Sequence, residues 1–457
     1  MDINCLLENI IVPENSCEYW DVRIEEDYKT AIKYEDFELL PCEKKSSLGG
    51  FIRVYQNGMW YYSSTTELET LSDQVVQLCK QASKYKKTNF NSAYRPYNTC
   101  SSTENLIRSQ HVRLDQIKIS AKKDLCESFF SLLKSFDKLK GIKIGFADQY
   151  KVKYFRSSSN VKFSYDFNQC GISISYSVID GDNRFDDKAI FYGKDFESLK
   201  RKCVNVKEII EESHLFLDAK MISAGDYPVV MDSLVVGVFA HESFGHKSEA
   251  DFMLGDDEAK NTWKIGKKVG NSCLSIVDYG AEHGTSGYCP FDDEGFPAQK
   301  TYLIKNGILS GRLHSQQTSQ ILDEAPTGNG RAINFEFEPI VRMTNTYVEP
   351  GELTFNEMIS KIKIGVYAKD VNHGSGLSTF TIAPRKCYMI RDGKIAEPIR
   401  VSVMSGSVFE ALNMIEGCTK DFQLESMAFG GCGKMEQWPL PVGFGGSKVL
   451  ISKLVVS

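Results

Sequence analysis

Three dipeptides constrain the fold most: Asn57-Gly58, Asn306-Gly307 and Asp392-Gly393. A two-residue hairpin turn of type I′ needs positive φ at both central residues, and Asn or Asp followed by Gly supplies it at least steric cost. The first pair lies between Phe51-Ile52-Arg53-Val54-Tyr55-Gln56 and Met59-Trp60-Tyr61-Tyr62, two strand-like runs. The other two fall in a stretch beyond Lys260 that reads as short strands joined by Gly/Pro turns. Repeated hairpins there predict a folded β-sheet or a barrel-like core.

Helical periodicity is confined mainly to the first half. Residues 67–85 place Leu71, Val75, Val76, Leu78 and Cys79 on one face. Residues 120–136 do the same with Leu125, Phe129, Phe130, Leu132 and Leu133, and a third helix is expected over 196–217. Alternating segments at 141–146, 150–155 and 171–177 predict strands between them. The run 95–110 is rich in Ser, Thr and Asn and reads as a linker. The fold class expected is therefore α+β. A mixed region over 1–219, with a sub-boundary near 96–110, precedes a β-rich domain over 220–457 that carries one functional helix. A chain of 457 residues is too long for a single typical core, which fits this division.

Bulk chemistry narrows the function. The net charge of −6 gives no general pull toward nucleic acid, so direct nucleic-acid binding is not expected. The 13 cysteines are irregularly spaced, which predicts reduced thiols in a cytoplasmic protein rather than a disulfide framework. The start Met1-Asp2-Ile3-Asn4-Cys5 does not read as a signal peptide, and no run reaches the roughly 20 apolar residues of a membrane span.

The segment His241-Glu242-Ser243-Phe244-Gly245-His246 carries the chemistry. Two imidazoles suit a zinc ion, and a carboxylate beside the first suits a general base. The usual spacing is i, i+4, which sets both rings on one helical face. Here it is i, i+5, and a regular α-helix would splay the rings by roughly 140°. Shared ligation then requires a widened, π-type turn, for which Gly245 supplies the freedom. The alternative is two unrelated polar residues on a partly exposed helix. Cys432, within Gly430-Gly431-Cys432-Gly433, reads either as a thiolate ligand or as a small buried thiol.

Other polar groups divide similarly. Glu249 and Asp251, taken as following on the same helix, are either carboxylates that orient an imidazole or ordinary surface acids. Asp292-Asp293-Glu294 reads as a solvated turn rather than a hard-cation site, Arg331 and Arg342 as ion-pairing residues rather than holders of a peptide carboxylate or stabilisers of charge, and His283, His314 and His373 as lone histidines. The glycine-rich Gly443-Phe444-Gly445-Gly446-Ser447-Lys448 lacks phosphate-loop spacing, so no nucleotide site is expected.

Taken with its neighbours, His241-Glu242-Ser243-Phe244-Gly245-His246-Lys247-Ser248-Glu249-Ala250-Asp251 resembles the HExxGHxxExD core of the TldD/PmbA family. Asp292-Asp293-Glu294-Gly295, Thr327-Gly328-Asn329, Arg342-Met343-Thr344-Asn345 and Cys432-Gly433-Lys434 resemble four further family blocks, in the same order. Glu436 departs from the pattern, where a glycine is expected. The resemblance implies a zinc peptidase with His241, His246 and Cys432 as ligands and Glu242 as general base. It implies peptides or small unfolded proteins as substrates, and a homodimer or a heterodimer with a related metal-free chain. It names no substrate-binding residue. Two rival readings are a non-catalytic peptide-binding subunit and a regulator of a DNA-acting enzyme.

Overall fold

A computed structural model describes residues 2–85, 96, 102–108, 112–376 and 378–457. All three hairpin dipeptides form the expected turns. Their φ values are 54° and 84° at Asn57-Gly58, 51° and 78° at Asn306-Gly307, and 47° and 74° at Asp392-Gly393. The strands flanking them pair directly: Gln56 with Met59, Lys305 with Ile308, and Arg391 with Lys394.

Eight strands in the first half form one sheet, ordered Met59–Thr65, Glu43–Gln56, Tyr19–Glu35, Leu139–Ser157, Val161–Asp180 and Ser102–Leu106. Asn183–Gly193 pairs with Val161–Asp180, and Glu38–Leu39 with Tyr19–Glu35. Part of the expected linker is thus a strand, Ser102–Leu106, parallel to Val161–Asp180; most of the rest of 95–110 lies outside the described residues. The two strands expected at 141–146 and 150–155 are one continuous strand. The expected helices are shorter or broken. Leu71–Ala82 is one piece, Ile119–Glu127 and Phe130–Lys134 are two, and Phe196–Lys202 and Val206–Leu215 flank a single 3₁₀ turn.

Alternation along Tyr19–Glu35 shows why this sheet is buried on both faces. Val22 and Ile24 enter an apolar core with Leu71, Val75, Leu133 and Ile210 from the helices. Asp21, Arg23, Glu25 and Asp27 point the other way and are also buried. They meet the loop carrying Asp293 and Glu294: Arg53 bridges Asp21 at 2.7 Å and Glu294 at 2.9 Å, and Lys153 reaches Asp293 at 2.6 Å. Burying unpaired charge is costly, so complementary pairing fixes where this sheet can dock.

The second sheet has fourteen strands, and Gly443–Val456 is its hub. That strand runs antiparallel to Gly225–Met231 and Ile415–Ser426 and parallel to Asn345–Val348. The main strand path runs from Ile308–Leu309 to Lys220–Met221 and, among the described residues, does not close into a barrel. The α+β expectation holds, with an open mixed sheet in place of a barrel. The glycine-rich run 443–448 lies within the hub strand, as befits a segment with no phosphate-loop spacing. Helix Ser233–Phe239 crosses this strand closely: a Cβ on Gly237 would stand 2.7 Å from Gly445 Cα. The helix C-terminus, and the histidines after it, are thereby held against the sheet.

Candidate metal centre

Asp232 caps helix Ser233–Phe239 by accepting from Ser233 N at 2.6 Å. The helix runs directly into a π-helical turn, Ala240–Gly245, and then a 3₁₀ turn, His246–Ser248. The extra residue per turn does what the i, i+5 spacing requires. It brings the His241 and His246 rings to 5.0 Å between centroids, at 80° to each other.

Gly245 has a different reason from the one expected. Its φ of −57° is ordinary helix, so no backbone freedom is in use. A Cβ there would instead fall on Met343 Sδ, far inside van der Waals contact. Glycine lets the widened turn lie flat on a fully buried methionine.

Cys432 arrives from far along the chain, at the start of the hairpin Cys432–Lys434 and Gln437–Leu440. Its Sγ stands 3.6 Å from His246 Nε2. The ligand atoms of His241, His246 and Cys432 all lie within 4.8 Å of one another. Zinc–ligand bonds of about 2.0–2.3 Å place tetrahedral ligands roughly 3.3–3.8 Å apart, so small side-chain rotations would complete the set. His241 Nδ1 is buried with no hydrogen-bond partner. Such an orphaned donor–acceptor is costly unless a ligand or ion uses the ring. Two imidazoles and a thiolate are donors that suit zinc.

The charges agree with a centre poised for a cation. Burial pushes the Cys432 thiol up, yet His241 and His246 outweigh it and bring its pKa down to about 5. Burial likewise pulls His246 down, but its hydrogen bonds to Cys432 and Glu249 raise it to about 10. Both shifts favour a thiolate on Cys432 and a proton on His246 while no cation is bound.

The surrounding carboxylates and cations hold the ligands. The chain leaves the helix before Glu249, whose backbone is extended, so Glu249 and Asp251 do not share a helix with the histidines as expected. Fully buried Glu249 instead turns back to His246 Nδ1 at 3.2 Å. Lys434 ties the assembly together, bonding both oxygens of Asp251 at 2.7 Å, Glu249 at 3.1 Å and the Val341 carbonyl at 2.9 Å. Arg342, expected to ion-pair, donates to two carbonyls: Cys432 at 2.7 Å and Gln437 at 3.1 Å. It clamps both strands of the cysteine hairpin. Arg331 acts similarly on Met343 and Pro441. Glu436 sits in the exposed two-residue turn of that hairpin, away from the ligand.

Asp292-Asp293-Glu294 is not a solvated turn: all three are buried, the last two against Arg23, Lys153 and Arg53. His314 is held between Thr318 and Glu324, away from the centre. His283 packs edge-on against Tyr288. His373 is exposed on Val371–Gly376, a strand beside the helix.

The centre opens into a cleft of about 690 Å³. His241, Glu242, His246 and Cys432 line one wall, and Lys188 and Ile190 of the first sheet line another. Strand Val371–Gly376 approaches Glu242 closely, since a Cβ on Gly374 would lie 3.4 Å from Glu242 Cγ.

Comparison with known proteins identifies the family. Residues 224–457 match the family described as the PmbA/TldA metallopeptidase C-terminal domain, and residues 20–85 match its domain 1. The chain belongs to the PmbA/TldD metallopeptidase family. A metalloprotease of Synechocystis is 30% identical over 97% of this chain and 95% of its own length. A zinc metalloprotease TldD homolog of Saccharolobus solfataricus is 32% identical over 70% of this chain and 71% of its own. Among solved structures, a candidate modulator of a DNA gyrase from Thermotoga maritima superposes with a TM-score of 0.76 at 19% identity, covering 96% of each chain. TldE from Thermococcus kodakarensis gives 0.74 at 13% identity, covering 100% of this chain and 99% of that one. These two share the fold. Among the described residues, no helix is long and apolar enough to cross a membrane.

Proposed function

We propose that this chain is a zinc-dependent peptidase that hydrolyses peptides or unfolded proteins. His241, His246 and Cys432 hold the metal and Glu242 is the general base. The observation that carries the reading is the convergence of the three ligand atoms within 4.8 Å, with Glu242 lining the same cleft. Bound zinc would polarise the scissile carbonyl and acidify a water. Glu242 takes the proton of the attacking water and delivers it to the leaving amine. Glu249 holds His246 through Nδ1, leaving Nε2 facing Cys432 and the metal position. Arg342 holds the cysteine loop at its carbonyls, so the thiolate keeps its place as the charge of the centre changes.

We further propose that the domain boundary falls at 219/220, so that ligands and base belong to one domain, and that the protein is cytoplasmic.

The test is a pair of measurements on the purified chain: zinc content and hydrolysis of an unstructured peptide. Glu242→Ala should retain zinc and lose about 10²–10⁴ in rate, because the base is not a ligand. Unchanged turnover in that variant, or activity that survives complete chelation, defeats the proposal. A chain that binds peptides and zinc but never cleaves them would be a binding subunit.

A further inference from the structure

The cleft wall opposite the helix has an unbalanced set of charges. Lys188, Lys369, Arg385 and Lys386 line it together with Glu212 and Asp370, and Asp187 stands behind them. Lys386 pairs with Asp187 at 2.7 Å and Glu212 at 3.1 Å. Lys369 pairs with Glu212. Arg385 pairs with Asp187 at 3.1 Å and with Asp370. Lys188 alone has no ion pair: among the described residues its ammonium makes no hydrogen bond or salt bridge. The cluster carries one positive charge more than it neutralises.

A second observation stands beside the first. Arg385 has a side chain only 8% exposed, yet its Nη1 finds no acceptor. Buried guanidinium nitrogens are rarely left in that state. Burial and the neighbouring Arg385 both disfavour charge on Lys188 and lower its pKa, with Asp370 and Asp187 only partly offsetting them. Lys188 and Arg385 thus line one wall of an open cavity, and of the two only Lys188 lacks an anionic partner. The other carboxylates of the cleft are Glu242, on the histidine wall, and Asp232 and Glu425, both engaged elsewhere. Asp232 is bound to Lys448 and Tyr367. Glu425 accepts from Gln423, and its burial raises its pKa.

We propose that Lys188 Nζ, beside the ion-paired Arg385 guanidinium, anchors a carboxylate-binding subsite in the cleft, which holds an anionic group of the substrate. The inference rests on the peptidase reading for the identity of the ligand, a peptide. The carboxylate is either the peptide's C-terminus or an acidic side chain, since both present the same oxygens to an ammonium.

The experiment measures equilibrium binding of three fluorescent peptides of one length, in the Glu242→Ala background so that they stay intact. One has a free C-terminus and no acidic residue. The second is amidated with no acidic residue. The third is amidated with one Glu, moved along the sequence. Either carboxylate peptide should bind about tenfold or more tighter than the neutral one, the usual advantage of a charge-assisted contact. Whichever of them is preferred names the source. Lys188→Ala should erase the preference without weakening the neutral peptide, and Lys188→Arg should retain most of it. Equal binding of all three peptides, binding by none, or a Lys188→Ala loss shared by the neutral peptide overturns the subsite. Cleavage is scored separately with Glu242 intact. A carboxylate preference without cleavage refutes the peptidase reading alone, and cleavage without the preference refutes the subsite alone.

Discussion

Gly245→Ala is the sharpest test of the widened turn. The added methyl falls on Met343 Sδ, and Met343 is wholly buried, so the thioether must swing aside within a packed core. Overpacking of this size costs about 1–3 kcal/mol. Alanine gains back up to about 1 kcal/mol over glycine in helical backbone, and the φ of −57° allows it that gain. The net loss is therefore about 0–3 kcal/mol. Gly245→Val adds a β-branch at the same contact and should cost about 3 kcal/mol or more. Partner deletion isolates the cause. Met343→Ala alone should cost about 2–5 kcal/mol through the cavity it leaves. In the double variant Gly245→Ala/Met343→Ala the new methyl enters that cavity, so the two losses should fall short of their sum by about 1–2 kcal/mol. Urea unfolding of the four proteins, loaded with zinc and after chelation, gives the cycle. Zinc affinity measured against a chromophoric chelator gives the second readout, and Gly245→Val should lower it more than it lowers stability. Strict additivity of the two substitutions would show that the Met343 contact does not explain the glycine.

Three further outcomes are expected. Glu249→Gln should fold and weaken zinc binding about 10- to 100-fold, measured by chelator competition, because it loosens His246 without removing a ligand. Zinc affinity should rise by about tenfold per pH unit between pH 7 and 10, with about one proton released, measured by calorimetry in buffers of different ionisation enthalpy. The sign follows from His246, whose raised pKa of about 10 keeps a proton that zinc must displace, while Cys432 at about 5 is already a thiolate. By resemblance to the family the protein should be a dimer, of two copies or with a related metal-free chain, and light scattering showing an active monomer at micromolar concentration would contradict this.

What the sequence revealed and what it hid divide along physical lines. The hairpin turns were legible because Asn-Gly and Asp-Gly act locally, through their own φ. The π turn was legible because two ligands at i, i+5 leave few other geometries. The purpose of Gly245 was not, because Met343 lies nearly a hundred residues away and only packing joins them. Arg342 was hidden for the same reason: its acceptors are the carbonyls of Cys432 and Gln437, and a carbonyl leaves no mark in a sequence. Asp292-Asp293-Glu294 looked solvated because acidic runs usually are. Their cations, Arg23, Arg53 and Lys153, belong to a different sheet. Glu249 orients an imidazole, one of the two roles open to it in the sequence, but it does so from beyond the helix, which ends one residue before it at a boundary that motif spacing does not mark.

The hub position of Gly443–Val456 sets a schedule for biosynthesis. Every neighbour of that strand in the second sheet precedes it in the chain, so all of them leave the ribosome before the element that joins them exists. His246 and Cys432 are separated by 186 residues, which at about 5–20 residues per second is an interval of about 10–40 s. Through that interval the two histidines lack both the third ligand and the hub strand that their helix crosses. Metal acquisition is consequently a late event, coupled to closure of the whole second sheet rather than to emergence of the histidine motif.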